Sequence, residues 1–108
     1  MDSEEAMEIF RNIQFTEFEI GFPEPEALRG PGIVLLCREN QRTAQIYRWG
    51  ILEHRKAAGD AMETARNLLK QAPRGETRHF AQIAVFPDQT ALEVAFQAVD
   101  LVCRPTTQ

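Results

Sequence analysis

Residues 33–37, IVLLC, form the longest apolar run of the chain. Five residues are far too few to span a membrane. The run opens with the β-branched Ile33 and Val34 and is bounded by Gly32 and Arg38, and it reads as a strand over 33–38 buried on both faces. Such a strand must be covered on each side, and the remaining segments are read as that cover. A polar turn at 39–43 leads to 44–49, AQIYRW, which alternates in period two and is expected to be the second arm of a hairpin. The alternation fixes the register, because a slip of one residue would turn every side chain to the wrong face.

After Gly50, residues 51–58, ILEHRKAA, are rich in helix formers and predict a short helix ending at Gly59. Asp60 with Glu63 has capping-box spacing and predicts a second helix. Its apolar stripe is Ala61, Ala65, Leu68, Leu69 and Ala72, and Pro73 stops it. Residues 79–86, HFAQIAVF, read as a central strand ended by Pro87. Thr90 with Glu93 predicts the cap of a last helix with Leu92, Phe96, Val99 and Val102 inward. On the N-terminal side, Asp2 or Ser3 caps a helix over 3–12 with Met7, Phe10 and Ile13 as its stripe. Phe18, Ile20 and Phe22 then alternate with Glu17 and Glu19 in a half-buried strand over 17–22.

The expected fold is a single α+β domain over 1–108 with a small, mainly antiparallel sheet. From residue 32 its order is strand, strand, helix, helix, strand, helix. Residues 1–31 add an N-terminal helix and strand, and 104–108 form a tail.

The chain carries a net charge of −4, unevenly placed. Residues 1–31 hold two basic and eight acidic groups, 32–81 nine basic and five acidic, and 82–108 one basic and three acidic. A basic middle inside an acidic chain can mark an electrostatic footprint, or simply the solvated faces of helices. The N-terminus is acidic and has no secretory pattern, which predicts a cytoplasmic protein with Cys37 and Cys103 as reduced thiols. These cysteines, with His54 and His79, show no metal-ligand spacing. There is no dinucleotide fingerprint and no P-loop.

From Gly32 to Cys103 the element order resembles the GIY-YIG nuclease domain. The opening PGIVLL is similar to the start of that family's first strand, and IYRWG resembles its second triplet with an extra residue, so Tyr47 and Trp49 compete for the tyrosine slot. His54 and Arg55 stand where the family keeps a histidine and an arginine, and Glu93 resembles its metal-binding glutamate. The resemblance implies Tyr47 or His54 to activate water, Arg55 to neutralise phosphate charge, and Glu93 to hold Mg²⁺. It covers about two-thirds of the chain. Val34 occupies the first motif's tyrosine position and has no hydroxyl, so the resemblance implies an impaired site, with Mg²⁺ as cofactor only if the nuclease is active. Arg48, Trp49 and Lys56, with Tyr47 interleaved, suit phosphate contact and base stacking on DNA or RNA. The same residue types are enriched at protein interfaces. The expected function is therefore a nucleic-acid-associated, nuclease-like domain. The alternative is a non-catalytic interaction module with a protein partner or a second copy, and neither reading involves a membrane.

Overall fold

The computed structural model describes residues 1–39, 49–72, 75 and 78–103. In chain order the elements are α1 (Ser3–Asn12), β1 (Thr16–Phe18), a 3-10 turn at Glu26–Leu28, β2 (Gly32–Glu39), β3 (Trp49–Ala57), α2 (Ala61–Gln71), β4 (His79–Val85) and α3 (Gln89–Cys103). The described strands form one antiparallel sheet in the order β1-β4-β2-β3. The fold is α+β, with helices on both faces of the sheet.

β2 is the axis of the domain, hydrogen-bonded to β3 on one edge and to β4 on the other. Its side chains alternate between two cores. Val34 and Leu36 join Ala57, Ala61, Met62, Ala65, Leu68 and Ile83 under α2. Ile33, Leu35 and Cys37 join Phe80, Leu92, Ala95 and Val99 under α3. α1 packs against α3 on this second face, bringing Phe10 and Ile13 to the same core.

The expected helix over 51–58 does not form. These residues belong to β3, which pairs Gly32 with Ala57, Val34 with Arg55 and Leu36 with Glu53. Helix propensity across ILEHRKAA amounts to tenths of a kcal/mol per residue. Leaving one edge of the doubly buried β2 without backbone partners would cost more. A bulge opposite Leu36 and Cys37 makes Leu52 the extra residue and breaks the period-two signal. Of the expected strand 44–49, residues 44–48 lie outside the described residues, and Trp49 opens β3.

Three smaller expectations are corrected. β1 ends at Phe18, because Gly21 turns the chain at φ +103°, leaving Ile20 and Phe22 exposed. α1 buries Ala6 and exposes Met7. α3 is capped by Asp88, whose Oδ1 accepts the Ala91 N–H at 2.7 Å, and not by Thr90.

The caps at Asp2 and Asp60 form, with Asp2 accepting the Glu5 N–H at 2.8 Å. Asp60 also ties α2 to the loop before β2. Its carboxylate accepts the Met62 N–H at 3.1 Å, the Gly30 N–H at 3.5 Å and Arg29 Nη2 at 2.9 Å. Gly30 sits at φ +115°, a conformation that disfavours other residues. Desolvation pushes the Asp60 pKa up, but the hydrogen bonds from Met62, Gly30 and Glu63 and the Arg29 charge outweigh it, so the net shift is down. Asp60→Ala is expected to cost about 1–2 kcal/mol by urea denaturation at neutral pH. A carboxyl with a lowered folded pKa stabilises above its unfolded value and loses that contribution as pH falls through the folded value. The gap between wild type and Asp60→Ala should therefore close below the ordinary carboxyl value of 3.8.

Candidate functional site

Backbone hydrogen bonds fix the orientation of each residue of β3. Even-numbered β2 residues from Gly32 to Leu36 oppose Ala57, Arg55 and Glu53, whose side chains share the α2 face with Val34 and Leu36. His54 and Lys56 oppose Leu35 and Ile33 and share the α3 face. There His54 Nε2 lies 2.9 Å from Asp100 Oδ1, and Lys56 Nζ donates to Glu93 Oε1 at 2.7 Å. The Phe96 ring lies between these pairs, its centroid 5.8 Å from the His54 ring and 5.6 Å from Lys56 Nζ. Gln89 Nε2 also donates to Glu93, at 3.2 Å. The Lys56 hydrogen bond is the main reason the Glu93 carboxyl is held below its ordinary range, against desolvation and with help from Gln89 and the Lys56 charge.

The structure thus brings His54, Lys56 and Glu93 onto one face and turns Arg55 to the other, where it bonds Glu53 at 2.7 Å. Arg55 and Glu93 do not line a common cleft. Tyr47 and Arg48 lie outside the described residues. Val34, at the position of the first motif tyrosine, is fully buried under α2. Among the described residues there is no group of three or more His, Cys, Asp or Glu side chains placed to hold a metal ion. Glu93 instead has a lysine as its nearest partner. Burial pushes the Cys37 thiol up to about 12 and the Cys103 thiol up to about 11, the opposite of the shift that activates a cysteine.

Among the described residues, four cations of the basic middle are paired with carboxylates, two of them with the acidic N-terminal region. Arg66 Nη1 reaches both carboxylate oxygens of Glu24, at 2.8 and 2.9 Å, and Arg78 pairs with Glu17 at 2.8 Å. Lys56 and Arg55 are held by Glu93 and Glu53. The acidic N-terminal region therefore neutralises part of the basic middle, and these cations do not form an open phosphate-binding surface. Asp2, which caps the first helix, and Glu4, Glu5 and Glu8 within it remain exposed.

A different feature stands out on the α1–α3 side. An open groove of about 980 Å³ runs between the two helices and the end of β4. Ile9 and Ile13 form one wall, Ala91 and Val94 the other, and Val85 and Phe86 the floor. Asn12, Gln14, Thr16 and Thr90 supply uncharged polar groups at its margins, and Asp88 adds a carboxylate. Val94, 45% exposed, is a large apolar side chain that the helix leaves at the surface. Sequence patterning does not reveal this groove, because two stretches far apart in the chain, 9–16 and 83–95, build it together with Leu28. The one local sign is Val94, which falls outside the buried stripe of α3. The chain matches no protein-family model, and no curated protein or solved structure is significantly similar to it.

Proposed function

We propose that this chain is a non-catalytic protein-interaction module that receives an apolar, basic segment of a partner in the groove between α1, β4 and α3. The open apolar groove is the observation that carries this reading. Its size is that of sites that enclose ligands or anchor side chains, and its aliphatic walls with polar margins that include Asp88 suit an amphipathic helix. The exposed carboxylates of α1 favour basic flanks on that partner. The nuclease-like reading is less well supported, since Arg55 and Glu93 face opposite ways and the described cations nearest them are already paired.

A labelled amphipathic peptide of leucine and lysine serves as the probe, with fluorescence anisotropy as the readout. Val94→Glu is expected to weaken binding about tenfold or more, because it places a charge where an aliphatic side chain was to be covered. Leu101→Glu, at a comparably exposed position of α3 that does not line the groove, should leave it unchanged. Equal loss in both variants, or none in either, removes the groove from the reading. A parallel titration with single- and double-stranded oligonucleotides tests the rival. Binding at low salt with a log–log salt slope near −2 to −3, as about three phosphate contacts would give, would replace this proposal with the nucleic-acid one.

A further inference from the structure

The outer edge of β3 carries a pattern that is complementary to itself. Pro31 accepts the Phe86 N–H and Glu39 donates to the Arg78 carbonyl, both at 3.0 Å. Odd-numbered residues of β2 therefore turn their backbone groups to β4, and Gly32, Val34 and Leu36 turn theirs to β3. Their partners Ala57, Arg55 and Glu53 face inward. The N–H and C=O groups of His54 and Lys56 consequently point away from the sheet. Among the described residues no strand pairs with that side. The Arg55 guanidinium folds over the exposed His54 carbonyl at 3.3 Å, and its other nitrogen holds Glu53 two residues away on the same face.

We infer that this edge is a docking surface for a second copy of the chain, joined antiparallel about a two-fold axis through His54. A strand whose backbone groups at residue 54 point outward can meet its own copy there in a hydrogen-bonded pair, each His54 N–H donating to the other's carbonyl. That register sets Glu53 opposite Arg55 of the partner subunit, and Arg55 opposite Glu53 of the partner subunit. Residues at these non-hydrogen-bonded positions are the closest across a ladder, and opposite charges there stabilise it. The two ion pairs now made within the separate strands are exchanged for two made between strands, and each guanidinium leaves the carbonyl it had covered. The neighbouring registers are worse. An axis through Arg55 also permits backbone pairing, of residue 54 with 56, but sets two arginines face to face. An axis through Glu53 does the same with two glutamates. The joined sheet would run β1-β4-β2-β3-β3-β2-β4-β1, with no long open edge at its centre.

Light scattering over a concentration series of the full chain tests this, the expected mass being twice 12.3 kDa. Glu53→Arg or Arg55→Glu alone should weaken self-association about tenfold or more, because each turns two attractive contacts into repulsive ones. Mixing these two variants should restore a mixed dimer, since both cross-strand contacts are then attractive. His54→Pro removes an outward N–H that β2 does not use, and should leave a folded monomer. In a Cys103→Ser background, His54→Cys should cross-link on mild oxidation, its Cα atoms lying about 5.5 Å apart, whereas Arg55→Cys should not. A wild-type chain that stays monomeric at every concentration overturns the inference. So does a dimer that both His54→Pro and the charge reversals leave intact, or one that cross-links through residue 55 instead of 54. Each result concerns the β3 edge and leaves the groove on the other side of α3 to its own test.

Discussion

Val34→Tyr is expected to lose about 2–5 kcal/mol of stability, lowering the urea midpoint by roughly 1–3 M. The position is fully buried, packed with Ala57, Ala61, Met62 and Ala65 between the sheet and α2. A phenol ring has no room among these small side chains, and overpacking a close-packed core costs about 1–3 kcal/mol. Its hydroxyl adds a second cost. No polar or charged side chain is buried among the described residues, so the hydroxyl would find only backbone groups already used by the ladder. This substitution would restore the tyrosine that the GIY-YIG resemblance lacks, so it also weighs that resemblance. A variant as stable as wild type would mean that residue 34 can open to a cleft, and would bring the nuclease-like reading back into contention.

Much of this fold is legible in the sequence, and the reason lies in how local each signal is. The doubly buried β2 shows itself in five consecutive apolar residues, and α2 in a cap and stripe that lie within a dozen positions. The sheet partner of β2 is harder to read. Residues 51–57 are helix formers by propensity, and only the demand of β2 for a hydrogen-bonded neighbour makes them a strand. Asp88 and Thr90 are both cap-type residues two positions apart, and the start of α3 decides between them. The candidate site is less legible still. Counting charge by segment cannot foresee that Arg66 meets Glu24 across 42 positions or that Arg78 meets Glu17 across 61. The sequence resemblance groups His54 with Arg55 because they are adjacent, and the strand then separates them because adjacent side chains point to opposite faces. Had 51–58 been a helix, these residues would have been about 100° apart and closer to sharing a surface.

Gly32→Ala is expected to destabilise by at least about 2 kcal/mol, against the usual direction of such a change. Replacing glycine by alanine at a position whose backbone tolerates it commonly stabilises by about 0.4–1 kcal/mol, because the unfolded chain has less freedom to lose. Gly32 has an ordinary strand conformation, so backbone strain does not decide the sign. Space does. Gly32 opposes Val85 at a position where the two strands approach without a hydrogen bond between those residues, the closer of the two spacings in an antiparallel ladder. A Cβ built there runs into the carbonyl oxygen of Ala84, and lies 3.1 Å from both the Ala84 carbonyl carbon and Val85 Cα. All three are backbone atoms of β4, unable to swing aside as a side chain would, although β1 holds the other edge of β4 only as far as Ile83. The strands must part at the end of the ladder, where Phe86 donates to Pro31, and the floor of the groove formed by Val85 and Phe86 moves with them. Gly59→Ala is the matching control, since nothing lies within 4 Å of a Cβ there and its φ is not positive. Urea denaturation of the two variants beside wild type should move the midpoint down for Gly32→Ala and leave it level or slightly raised for Gly59→Ala. Equal midpoints for the two would show that β4 yields to a methyl group at residue 32. The glycine would then be dispensable to the sheet, and the PG dipeptide at 31–32 would need a reason other than packing.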